Sequence, residues 1–326
     1  MLIILMAIVI GAIMARSPIT GGLARADKAS VDKHAAKRGL PLPEDLRPVI
    51  TDRLVRREKT LQAWSVAGII LGSLSIVVVP LFYGWHTRDI FYVPLILGGF
   101  GIGSILGRLR LVRRGVPSLP GRSQVTRSVR PTVTDYVTTG EVICFFLVPV
   151  SIVLNVAGMW VFLGLLPYIP GEFNGRYGLV TAVNIVLLLL WVFMPSSARK
   201  FVATPQYAGN DLELAWDDAE RTSILRALAD GAVGMAAISA VFTQGVVGEL
   251  ILHPHVRPGA EDLTNMLAAG AFLVGLNCAA LVVAPLLPGR LKRTPWRKLW
   301  PNGVSWQSAL RAPRARVRVP AWGRGV

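Results

Sequence analysis

The sequence predicts an all-α polytopic membrane bundle. It has seven transmembrane helices, N-terminus outside and C-terminus inside, arranged as a lone first helix and three parallel two-helix repeats. Three observations predict it. The mean hydropathy is +0.51 and 52% of residues are apolar, gathered in blocks long enough to cross a bilayer. Basic residues alternate sharply between the segments that join these blocks. A short string also recurs, RPVITDRL at 47–54 and RPTVTDYV at 130–137, displaced by 83 residues.

The blocks 62–83, 90–107, 143–166, 177–195, 231–252 and 266–287 each meet the length of about 17–25 residues that a span needs, and 1–15 falls short of it. The first block has no basic residue before its apolar core and no A-x-A site directly at its end, so it reads as a short N-out anchor, or a span shortened by a misassigned start codon, rather than a cleaved signal. Lys and Arg near span ends resist translocation. Segments 16–61, 108–142, 196–230 and 288–326 hold 11, 7, 4 and 10 of them, together 32 of 35, and Arg88, Arg176 and Arg257 fall singly in the opposite loops. The net charge of +16 is therefore read as an inside-positive signature, and nucleic acid is not an expected partner. The expected location is the plasma membrane, as a multi-pass protein, and the Arg-rich composition fits a bacterial, GC-rich genome.

Asp52 and Asp135 of the recurring string each stand shortly before a span, and the same displacement lands on Asp218 in WDDAER, ahead of the sixth. The organisation expected is an anchor (1–15), repeat 1 (16–107), repeat 2 (108–195), repeat 3 (196–287) and a tail (288–326). Two spans per copy make the copies parallel, related about an axis along the membrane normal. In EDLRPVITDRLV, Leu46, Val49, Ile50 and Leu54 fall at helical spacing, which predicts an interfacial lead-in helix. Arg53 with Asp52, and Asp217 with Glu220 and Arg221, read as solvated charge pairs. Gly99, Gly103 and Gly107, spaced by four, read as a strip for close helix packing rather than a phosphate loop, with Gly68 and Gly72 in the neighbouring span supporting this.

Catalytic signatures are missing from the sequence: there is no Walker-type loop, H-E-x-x-H or G-x-S-x-G, and no cofactor is expected. A retinal Schiff base needs a lysine in the last span, and 266–287 has none. Cys144 and Cys278 suggest neither a disulfide nor a thiolate metal site. His86, His253 and His255, on the outer side beside carboxylates, are the nearest approach to a metal site, but none is expected. The span cores carry no Asp, Glu, Lys, Arg or His, which argues against proton or ion coupling. They do carry amides: Asn155, Asn184, Gln244 and Asn277 each lie near a span midpoint, as candidates for a polar site at the midplane or for interhelical glue. The tail has ten basic and no acidic residues interleaved with tryptophans. Trp296, Arg297, Lys298, Trp300, Arg314, Arg316 and Arg318 are its candidates for contact with anionic phospholipid headgroups of the bilayer, or with another membrane or cytoplasmic protein. The expected function is a non-enzymatic scaffold or subunit of a membrane complex. The alternative is a small-solute permease with a midplane site between repeats.

Overall fold

The computed structural model describes residues 28–83, 92–115, 131–164, 174–206, 208–251 and 299–300. The expected spans 1–15 and 266–287 lie outside the described residues. Among the described residues there is no strand. The helices are α1 (Lys28–Arg38), α2 (Arg47–Tyr83), α3 (Tyr92–Arg114), α4 (Val133–Tyr136), α5 (Thr139–Gly164), α6 (Asn174–Ala203) and α7 (Asp211–Ile251). Four of them, α3, α5, α6 and α7, are long and apolar enough to cross a membrane. They cover the described part of the expected spans 90–107, 143–166, 177–195 and 231–252, and the expected span 62–83 forms the latter part of α2.

The 37 residues of α2 and the 41 of α7 extend about 55 and 60 Å at 1.5 Å per residue, near twice the roughly 30 Å of a hydrocarbon core. Each is a polar half joined without interruption to an apolar half. This corrects the reading of 47–54 as a separate interfacial helix. Leu46, Ile50 and Leu54 turn their stripe onto protein, packing with Leu212, Ala215, Trp216 and Ala219 of α7 and with Ala35 and Leu40. The result is a second, smaller core, here called the cap, at one end of the bundle. Trp216 is pinned in it by its indole N–H, which donates to the Pro41 carbonyl at 3.0 Å. The chain turns from α1 towards this core at Gly39, whose φ of +64° suits glycine, and Leu40 N–H bonds back to Ala35 O at 3.2 Å.

Before α5, by contrast, the short helix α4 is separated from it. Thr138 and Glu141 form a capping box: Glu141 N–H donates to Thr138 Oγ1 at 3.3 Å, and Thr138 N–H donates to Glu141 Oε2 at 2.8 Å. A new helix therefore starts with only two residues, Val137 and Thr138, between it and α4. The expected linker 196–230 is mostly helix, since α6 runs to Ala203 and α7 starts at Asp211. There Asn210 Oδ1 accepts the Glu213 N–H at 2.9 Å, the satisfied first turn of α7.

In the bundle, α7 touches α3, α4, α5 and α6, and α2 pairs antiparallel with α3. The α2–α3 contact is the glycine strip expected from the sequence: a Cβ on Gly68 would lie 2.2 Å from Gly99 O, and one on Gly103 would lie 2.3 Å from Trp64 O. Ser65 and Ser104 hydroxyls meet at 2.9 Å across the same contact. On α5 and α6 the outward rows are large and apolar, including Phe146, Leu147, Leu154, Leu189 and Phe193, each about half exposed. An apolar surface of this extent fits contact with lipid. Pro149 removes the N–H that would bond Phe145 O in α5. Trp191 of α6 replaces it, its indole N–H donating to Phe145 O at 3.0 Å while the ring stacks on Phe145.

Candidate functional site

The polar half of α7 carries Asp217, Asp218, Glu220 and Arg221 within little more than one turn, and helix geometry sends them to different neighbours. Asp218, fully buried, accepts Tyr136 O–H from α4 at 3.0 Å, Gln206 Nε2 at 2.8 Å and Trp300 Nε1 at 2.9 Å. Asp217 accepts Gln206 Nε2 at 2.7 Å and Arg221 Nε at 3.0 Å. Arg53 of α2 sits between Glu220 at 3.2 Å and Asp217 at 3.9 Å. Arg57, one turn on, donates to Ser223 at 2.6 Å, and Arg38 donates to the Ala219 carbonyl. Arg221 spreads over the end of α6, donating to the carbonyls of Val202 at 3.2 Å and Thr204 at 3.0 Å and lying over the Phe201 ring. These are carbonyls that a helix C-terminus leaves open.

The reading of Asp217, Glu220 and Arg221 as solvated pairs is therefore corrected: Arg221 is 2% exposed and Asp217 8%. Arg53, also 8% exposed, leaves Asp52 to pair with Arg56 at 2.8 Å on the surface. The physical reason is the continuity of α7, whose polar turns are covered by α2, α4 and the end of α6. Burial raises the Glu220 carboxyl above its ordinary value, against the pull of Arg53. Burial, with the Arg57 guanidinium beside it, lowers Arg38 to about 10, and burial lowers Arg57 as well.

A second feature adjoins the cap. Glu141, buried at the start of α5, is held by Arg226 Nε of α7 at 2.6 Å. It lines a cavity of about 870 Å³ between residues 131–137, the start of α5, the end of α6 and residues 225–229 of α7. The rest of the lining is mainly apolar, with Phe145, Met194, Val202, Leu225 and Leu228, and Arg199 and Gln206 among its polar members.

The structure distributes the expected site residues differently. Asn155 Nδ2 donates to Ser239 Oγ of α7 at 3.1 Å, and Asn184 Nδ2 donates to Val180 O of its own helix at 2.8 Å. Both are buried, Gln244 is half-buried on α7, and none of the three lines the cavity. Asn277, His86, His253, His255, Trp296, Arg297, Lys298, Arg314, Arg316 and Arg318 lie outside the described residues. Trp300 is described, and it contacts the protein itself: its indole bonds Asp218 and packs on the cap core. Sequence reasoning missed Tyr136, Glu141 and Arg226. The T-x-x-E spacing at 138–141 marks the capping box, but no local signal marks the partners on α7.

Comparison with protein-family models, with curated proteins and with solved structures finds no match for this chain.

Proposed function

We propose that this chain is a non-catalytic scaffold or subunit of a membrane complex, its cap on the cytoplasmic side and its basic tail directed at anionic lipid or a partner protein. One observation carries the reading: the cap ties the three proposed repeats together by buried polar contacts. Arg53 of the first reaches Asp217 and Glu220 of the third, while Tyr136 and Glu141 of the second reach Asp218 and Arg226 of the third. A permease built from repeats works by rocking one against another. Here such rocking would open contacts at the cap end, and separating a buried ion pair costs about 3–5 kcal/mol. The use of the Asn155 amide in a helix–helix bond supports the same reading.

The repeat itself is supported by the element bounds. Displacing α2 by 83 residues gives 130–166, against 133–164 for α4 and α5 together, and displacing it again gives 213–249, against 211–251 for α7. Displacing α3 gives 175–197, against 174–203 for α6. Orientation follows from the basic residues gathered at the cap end.

The test is chemical access to the midplane. With both native cysteines replaced by serine, Asn155→Cys and Asn184→Cys are expected to resist a small aqueous thiol reagent added from either side of the membrane. Rapid labelling of either one would return the permease reading.

A further inference from the structure

The cavity beside the cap has no part in the scaffold reading, yet its shape and lining are those of a ligand site. Its volume of about 870 Å³ falls in the range of roughly 300–1,000 Å³ typical of sites for small ligands. The depth is apolar, with Met194, Leu225 and Leu228 all buried. Exposed Arg199 stands at the mouth. Glu141 also lines it, but Arg226 neutralises that carboxylate at 2.6 Å, so Arg199 sets the balance of charge.

The position is equally specific. Phe146 lines the cavity while being 55% exposed, within the outward row Ile143, Phe146, Leu147 and Val150 of α5. On α6, Met194 of the lining follows the outward Phe193. The opening is thus continuous with the lipid-facing surface, where α5 begins and α6 ends, which is the depth of headgroups. A soluble anion has no use for the apolar depth, and a peptide strand would leave its backbone groups without partners there.

We propose that this cavity is a lipid site: one anionic phospholipid from the leaflet on the cap side inserts an acyl chain between α5 and α6, its phosphate held by Arg199. The full chain in mild detergent, supplied with phosphatidylglycerol, phosphatidylcholine or glycerol phosphate, tests this by native mass spectrometry of retained lipid. One phosphatidylglycerol per chain is expected to survive where phosphatidylcholine does not. Arg199→Gln, at an exposed position that leaves the fold intact, should cut that preference about fivefold, the effect of one cation near an anionic headgroup. Ala229→Phe, which fills the cavity from α7, should abolish retention, and Leu189→Phe on the outward face of α6 should leave it unchanged. Wild-type retention in both Arg199→Gln and Ala229→Phe would mean lipid held by the outer surface or the tail alone, and would overturn the proposal. So would equal retention of phosphatidylcholine, or displacement by glycerol phosphate.

Discussion

Alanine at Gly68 separates close backbone packing from mere helix propensity. An added Cβ would stand 2.2 Å from Gly99 O, 2.9 Å from Gly103 Cα and 3.0 Å from Gly103 N, all backbone atoms that cannot rotate away. Ordinary contact begins near 3.4 Å, so α2 and α3 must part by about 1 Å, and a gap of that size forfeits roughly a quarter to a half of each contact's attraction. Overpacking of this kind costs about 1–3 kcal/mol, set against a gain of about 1 kcal/mol from alanine's better helix propensity. The expected net is a loss of up to about 2 kcal/mol. Gly178 and Gly234 are the controls, since a Cβ there meets no atom within 4 Å. Alanine at those sites should stabilise by about 0.5–1 kcal/mol. Thermal unfolding in detergent should therefore move in opposite directions for the two sets. Gly68→Ala with Gly99→Ala should lose less than the sum of the singles, because helices parted once accept the second methyl at little further cost. A melting temperature for Gly68→Ala raised as much as those of Gly178→Ala and Gly234→Ala would refute the close-contact account.

Arg226→Ala strands the buried Glu141 carboxylate, and it should destabilise more than Glu141→Gln, which keeps the capping bond to Thr138; the reverse order in thermal unfolding would sink the assigned pair. Burial raises Glu220 in the folded chain, so the stability linked to it is present below the unfolded value near 4.5 and is lost as pH rises through the folded value. Glu220→Gln should flatten that part of the pH–stability profile, and a profile parallel to wild type would contradict the burial. Cysteines at Thr87, Asn174 and Gly259 should react with an impermeant thiol reagent on intact cells while those at Ser30, Ser123 and Ser305 do not; labelling of the second set would invert the orientation.

The apolar blocks were legible because crossing a bilayer needs a composition that nothing else in a sequence imitates. The glycine strip was legible because spacing by four places small residues on one helix face. What sequence could not give was the partner of each charge. Asp217 and Arg221 are four residues apart and do pair, but the local rule implies an exposed pair, whereas α6 ends on top of them. Tyr136 and Asp218 lie 82 residues apart, and only the packing of α4 on α7 joins them. The lead-in at 47–54 was recognised as amphipathic, but periodicity alone does not tell whether an apolar stripe faces lipid or protein.

Positions 53, 136 and 219 are equivalents under the 83-residue displacement, and all three meet at the cap. Arg53 and Tyr136 send their side chains to the carboxylates of α7, and Ala219 offers its carbonyl to Arg38. Buried ion pairs add little net stability, yet mispairing them is expensive. In a bundle built, as proposed, from three similar lead-ins, apolar contacts alone would not decide which copy sits beside which, and a charge set that differs at equivalent positions would decide it. Arg53→Glu tests this. It places a third carboxylate against Asp217 and Glu220, and the expected loss is comparable to breaking a buried pair, about 3–5 kcal/mol. Adding Glu220→Arg restores the Arg–Glu contact in reverse, but the new guanidinium then meets Arg57 and Arg38, whose charges act on Glu220 in the native chain. Rescue should therefore be partial, and adding Arg57→Gln should extend it. If Arg53→Glu alone unfolds at the wild-type temperature, the charges at the cap do not set the register of the three segments, and the apolar core formed by Leu46, Ile50, Leu54 and Trp216 is sufficient by itself.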